Sequence, residues 1–427
     1  MSTPRTHNKR SLALSFAAFV SLGLPDGLLG VLWPSVSQDF GIPLGLLPVV
    51  SVAAVIGFQI ASLSAFKLSR KLGIGRMLAL CALVSAASLA GLAVSPVFAV
   101  FVVISIGIGL GGGAIDASMN AYAARHFSAS MLNWMHAFYG VGATVGPFLA
   151  GVVLAAGLGW RLPYLIIAAI LGGMAFLFAR NRQIWDELSG RAGMDASPTG
   201  TVTAANTAEP QAHTAEPQAH TADNAQMRAQ TQETGAPQHE TIPAREYAGF
   251  LLFFVYTGLE VALMTWSFSY YHLGQGQAET PAAMAVGLFG AGFTLGRMLF
   301  AIILRRVALG IILYLCVAGI GLTVLLMLLV PGLPSLAVLP LAGMFLAPMF
   351  PLFVKATDAR VHPSIVDKVV GRQIAAANLG AVGVPAIGGL LVSAYGPESL
   401  VWLFAAAAGV LLVLAPTVVR VPRLRGA

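Results

Sequence analysis

Three carboxylates, Asp26, Asp116 and Glu260, stand inside stretches otherwise apolar enough to cross a bilayer, while the rest of the 17 acidic residues fall in loops, tails or helix ends. An ionised side chain at mid-membrane costs about 2.5–3.5 kcal/mol on insertion scales, so such groups are kept for pairing or for transport. Desolvation penalises the charged form, which lets protonation follow the state of a surrounding cavity. Asp116 and Asn120 lie four residues apart and share one helix face, where an acceptor and an amide can bond each other or a solute hydroxyl. His136 is a candidate proton relay, since imidazole titrates at about pH 6.5 when unperturbed; it fits equally well as a hydrogen-bonded packing residue. Gln373 and Asn378 carry amides that can read a hydroxylated ligand or bond a neighbouring helix. Trp266, nearly two turns beyond Glu260, is placed to stack on a ring in a cavity, whereas Trp33 fits an interfacial aromatic belt.

Other chemistries are excluded. Gly107, Gly109 and Gly112 match the spacing of a dinucleotide loop, but that loop needs a strand-to-helix turn. Here the glycines lie in an apolar stretch, where small residues let helices approach closely. Cys81 and Cys316 are isolated in apolar segments and make neither a disulfide framework nor a zinc site. With no metal cluster, nucleophile elbow or phosphate loop, an enzyme is not expected, and no cofactor is implied.

The elements that must position the carboxylates are membrane helices. Hydrophobic residues make up 57% of the chain and charged residues 10%, against about 25% charged in a soluble domain. Each crossing needs roughly 20 apolar residues, and twelve such runs occur: 11–33, 44–66, 75–94, 97–123, 131–156, 161–179, 247–270, 281–304, 307–330, 334–355, 369–394 and 398–419. Backbone polar groups in lipid must be satisfied within the segment, so these spans are helical and the fold class is an all-α membrane protein. With both termini inside, all but one (Arg161) of the 24 basic residues fall on the cytoplasmic side, as the positive-inside rule demands. The net charge of +7 is therefore a topology signal, with no nucleic-acid partner implied.

Residues 183–243 lose the apolar character and repeat TAEPQAH in tandem at 207–213 and 214–220. Too little apolar surface is present to offset the entropy of ordering, so a disordered cytoplasmic linker is expected. It divides the chain into an N-terminal half, 1–182, and a C-terminal half, 244–427, of six spans each. The halves echo one another: the pattern GAxxxPxxxG runs from Gly142 to Gly151 and again from Gly380 to Gly389, and Asp26 corresponds to Glu260. Parallel six-helix repeats with a solute site at their interface form a known transporter architecture.

The spans carry the motifs GLPDGLLGVLWPS, GLGGGAIDASMNAY, LNWMHAFYGVGATVGP, YTGLEVALMTW and GRQIAAANLGAVGVP. In these the chain resembles the major facilitator superfamily, and within it the fucose permease-like sugar:proton symporters. That branch places a carboxylate in span 1 and another, followed by an Asn, in span 4, positions that resemble Asp26, Asp116 and Asn120. The superfamily's loop motif after span 2 is degraded to SAFKLSRKLGIGR, which keeps Arg70, Lys71, Gly73 and Arg76 but no Asp. The resemblance implies a major facilitator fold in the inner membrane and alternating access around a central site.

The expected function is proton symport of a small hydroxylated solute, a sugar, by a monomer in the lipid bilayer, with sodium as the alternative ion. Asp26, Asp116 and Glu260 are the coupling candidates; Asn120, Glu260, Trp266, Gln373 and Asn378 are the solute-binding candidates. Gly146-Pro147 in span 5 approaches an antiporter motif and keeps drug or metabolite export as the rival. A non-transporting sensor is the more distant alternative.

Overall fold

The computed structural model describes residues 9–127, 129–185, 242–304, 306–330, 332, 336–362 and 364–419. The expected linker, 183–243, lies almost wholly outside them. Among the described residues, twelve helical segments are long and apolar enough to cross a membrane, and each coincides with one of the twelve apolar runs. The N-terminal half contains span 1 (Arg10–Phe40), span 2 (Leu44–Leu72), span 3 (Ile74–Ala93), span 4 (Phe98–His126), span 5 (Ala129–Ala155) and span 6 (Arg161–Arg180). The C-terminal half contains span 7 (Arg245–Gly274), span 8 (Glu279–Ile303), span 9 (Leu309–Leu329), span 10 (Leu339–Asp358), span 11 (Val366–Tyr395) and span 12 (Pro397–Thr417).

Span 1 departs from the continuous helix expected over 11–33. It is two helices, Lys9–Gly23 and Leu28–Phe40, joined by a turn. Pro25 cannot donate to the helical ladder, and its ring crowds the carbonyl four residues back. The ladder gives way to shorter bonds, Asp26 N–H to Gly23 O at 3.0 Å and Leu28 N–H to Pro25 O at 3.3 Å. Gly27 completes the turn at φ 71°, a left-handed conformation that costs glycine little. Asp26 therefore sits in the break. Span 10 is also divided, into Leu339–Leu346 and Met349–Asp358, with Pro348 at the junction.

Within each half, small residues set the close contacts. Span 4 lies against spans 2 and 3 through Gly109, Gly111 and Gly113, where any Cβ would meet backbone or the Ser85 hydroxyl. The run that matched a dinucleotide loop is thus helix packing in this fold. Cys81 and Cys316 are buried and unpaired by disulfide.

The halves meet at the end of the molecule opposite the termini. A Cβ on Gly30 would stand 2.6 Å from Thr265 O, one on Gly389 would stand 2.5 Å from Gly45 O, and one on Gly287 would stand 2.9 Å from Thr144 O. Span 7 packs on the second helix of span 1. The seam between spans 5 and 8 continues inward to Gly140, whose Cβ would stand 2.8 Å from Thr294 Cβ. Toward the termini the halves diverge. Asn378 lies eleven residues before Gly389, about three turns away on the same stripe of span 11; at Gly389 that stripe touches span 2, and at Asn378 it is exposed.

Candidate functional site

The break in span 1 is the point on which both halves converge. A Cβ at Gly27 would stand 2.8 Å from Pro147 Cγ in span 5 and 3.4 Å from Met264 Cε in span 7, with Val286 of span 8 beside them. Span 5 reaches the break because Gly142 and Gly23 allow backbone contact: a Cβ on Gly142 would be 2.8 Å from Leu24 N, and one on Gly23 would be 2.7 Å from Ala143 N. That register lays Tyr139 alongside the turn, and its hydroxyl donates to Asp26 Oδ2.

Asp116 approaches the same place from span 4. It shares the stripe of Gly112, which faces Leu22 of span 1, and acts electrostatically on Asp26. One turn on, Asn120 Nδ2 donates to Asp116 Oδ1 at 3.0 Å. Asp26, Asp116, Asn120 and Tyr139 are each half-buried, so the N-terminal half presents two carboxylates and their donors along one polar face. Glu260 comes from span 7 and lies within electrostatic reach of the Tyr139 hydroxyl. It stands across the interface from the two aspartates.

The site contains a cation that hydropathy and charge counting left among the cytoplasmic basic residues. Arg297 is inside span 8, one turn past Thr294 and thus just beyond the closest approach of spans 5 and 8. Its guanidinium stands 4.7 Å from the Phe293 ring centroid and acts electrostatically on both His136 and Tyr139. His136 is one turn before Gly140 on span 5; its ring meets Phe19 edge-on at 5.0 Å, and its Nε2 is enclosed without a hydrogen bond to the described residues. The signal for Arg297 was a lone basic residue seven positions inside an apolar run, and Tyr139 carried no charge to mark it.

Other expected residues lie elsewhere. Trp266 is fully buried and donates through Nε1 to Pro385 O at 3.0 Å, which joins spans 7 and 11 within one half. Its indole is engaged in packing between these two spans in this conformation. Gln373 is fully buried toward the end that carries the termini, where its Nε2 donates to Thr357 Oγ1 at 2.9 Å. It belongs to a separate network: Arg360 Nε and Nη2 donate to Glu246 Oε1 and Oε2 at 3.0 and 2.8 Å. Glu246, read from the sequence as a helix-end residue, is fully buried. Trp33 is likewise buried and donates to Leu44 O at 2.5 Å, so it is no interfacial belt residue. Asn378 is exposed on span 11, on the stripe that leads to Gly389.

The sequence pattern of the Major Facilitator Superfamily matches residues 14–353. The chain belongs to that superfamily. It is a multi-pass membrane transporter by fold and family. Its architecture is similar to the crystal structure of a mutant of the nucleoside transporter NupG, with TM-score 0.66 at 14% identity over 96% of this chain and 99% of that one. It is also similar to a bacterial homolog of the human lysosomal transporter Spinster in an inward-facing and occupied conformation, with TM-score 0.64 at 12% identity over 97% of each chain. No protein in the curated sequence comparison matches the chain.

Proposed function

We propose that this superfamily member is a proton-coupled symporter of a small hydroxylated solute, a sugar, working by alternating access. One observation carries the proposal: Asp26 lies in the break of span 1, bonded by Tyr139 and flanked by Asp116, where spans of both halves converge. Broken helices at the repeat interface are where transporters place solute and coupling-ion sites. A carboxylate there can exchange a proton with the cleft, and the Asp116–Asn120 pair and the exposed Asn378 offer donors and acceptors for hydroxyls. The fucose permease-like motifs of spans 1 and 4 support a sugar. The basic residues near the termini support a cytoplasmic placement of that end, which makes this conformation one closed outside and open inside.

The test is transport by purified protein in liposomes containing a trapped pH dye. Candidate sugars are added outside under an imposed inward proton gradient. Sugar-dependent proton entry with uphill sugar accumulation is the expected result. Proton flux opposite to solute flux would establish the antiporter alternative, for which Pro147 packed against the span 1 break offers a structural position. No solute-dependent proton flux with any sugar would overturn the proposal.

A further inference from the structure

The N-terminal half keeps its acids away from the end that carries the termini. Up to residue 182 the sequence holds three, Asp26, Asp39 and Asp116. Two lie inside spans 1 and 4, and Asp39 pairs with Arg161 at 2.8 Å at the opposite end. Basic residues gather at the termini's end instead. Lys71 stands in the last turn of span 2 and Arg76 in the first turn of span 3, while Arg180 ends span 6 and Arg182 follows it. All four are exposed, and among the described residues none is ion-paired. The C-terminal half, by contrast, sets Glu246, Asp358 and Asp367 among its basic residues at this end.

Packing holds the arrangement. Asn181 Nδ2 donates to Leu177 O at 2.8 Å where span 6 stops. Ile184 N–H returns to Asn181 O at 3.1 Å, and Trp185 is fully buried, its ring 5.2 Å from that of Tyr122. This turn brings Arg182 onto the start of span 3, where a Cβ on Gly75 would stand 2.6 Å from Arg182 Cα. Arg182 is thus fixed beside Arg76 without a counter-ion. Spans 3 and 6 pack on each other, and each carries an exposed apolar stripe that ends in an arginine. On span 3 the stripe is Leu83, Leu80 and Arg76; on span 6 it is Phe176 and Arg180.

We propose that this face is a docking site for an anionic phospholipid, its headgroup phosphate against Arg76 and Arg182 and its acyl chains along spans 3 and 6. Guanidinium groups match phosphate oxygens in a planar fork, and cations just outside a span attract acidic lipids of the facing leaflet. Scattered basic residues mark orientation in any membrane protein. Here two guanidinium-bearing residues are held together by a backbone approach, with no described carboxylate to neutralise them. A free phosphate would satisfy the arginines but leave the apolar stripes uncovered, so the lipid is the better occupant.

Native mass spectrometry of the full chain tests this, in an equimolar mixture of phosphatidylglycerol and phosphatidylcholine with the same acyl chains. Phosphatidylglycerol should be retained in preference. Each cation near the surface is worth about fivefold in binding, so Arg76→Gln and Arg182→Gln should each lower the preference by about that factor, and together by roughly 25-fold. Lys368→Gln/Arg372→Gln removes equal charge from the C-terminal half and should change it by less than about twofold. No preference in the wild type, or equal losses from the two double variants, would overturn the site. Full displacement of the lipid by inorganic phosphate would mark a free-anion site and also overturn it. So would a preference that appears only after Asp186→Asn/Glu187→Gln, residues outside the described ones, since those carboxylates would then hold the arginines. Should the arginine variants not fold, the thermal shift that phosphatidylglycerol gives the wild type decides. It must shrink as salt rises from about 0.1 to 1 M, and a salt-independent shift overturns the site.

Discussion

Removing one partner of the Glu246–Arg360 pair should destabilise the C-terminal half, and the two partners should not be equivalent. Glu246 is fully buried, and the Arg360 side chain is 5% exposed. Two charge-assisted bonds of 3.0 and 2.8 Å join them. Each such bond contributes about 1.5–3 kcal/mol, and breaking a buried pair from one side typically costs about 3–5 kcal/mol because a charge is left unpaired. Glu246→Leu removes the one anion that Arg360 and Arg245 share, and should cost the full amount. Arg360→Met leaves Glu246 with a second cation, since Arg245 Nε stands 3.3 Å away on a half-exposed side chain. Its cost should fall toward the lower end, about 3 kcal/mol, roughly a hundredfold in the unfolding equilibrium. The double variant Glu246→Leu/Arg360→Met removes both charges and should recover most of the loss, because apolar replacement of a buried pair is often neutral. Thr357 keeps its own bond to Phe353 O at 3.0 Å in every variant. Equilibrium unfolding in mild detergent, followed by tryptophan fluorescence, measures all three. Single variants within about 1 kcal/mol of wild type, or a double variant equal to the sum of the singles, would refute the reasoning.

Asp116→Asn keeps the bond to Asn120 but cannot titrate; accumulation against a gradient should be lost while thermal stability stays near wild type, and unchanged accumulation would make Asp116 structural. Glu260→Gln should weaken solute affinity and retain pH-dependent transport, because the N-terminal half holds the other two carboxylates; kinetics across pH check this, and a loss of pH dependence would reject the division of labour. Gly30→Val places a branched side chain where Cβ alone would stand 2.6 Å from Thr265 O. The seam opposite the termini should then fail to close, and cysteines introduced along it should react faster with a water-soluble thiol reagent; unchanged reactivity would refute the seam. Deleting residues from about 190 to 240 should leave transport intact, since that composition cannot pack and covalent joining only raises the effective concentration of the halves. Uptake by the shortened protein measures it.

Much of the fold is legible in the sequence because hydropathy adds locally along the chain. Twelve apolar runs become twelve helical spans, two of them broken, because lipid forces backbone groups to pair within the segment, and the repeated GAxxxPxxxG string marks the two halves. The same local argument finds Asp26, Asp116 and Glu260, since a charge in an apolar run stands out by its desolvation cost alone. Where a side chain points is a different matter. Pro25 and Gly27 were visible, but only the packing of Gly27 against Pro147 shows why the break is tolerated and that Asp26 occupies it. Arg297 was counted with the cytoplasmic basic residues; the approach of Gly140 to Thr294 is what brings its part of span 8 against span 5. Trp266 and Gln373, plausible as ligands by residue type, are drawn into packing by Pro385 O and Thr357 Oγ1. Composition and period determined that this chain spans a membrane twelve times, in two halves, with three acids inside. The contacts between spans more than a hundred residues apart in sequence, set by small residues on facing helices, decided which of its polar groups meet.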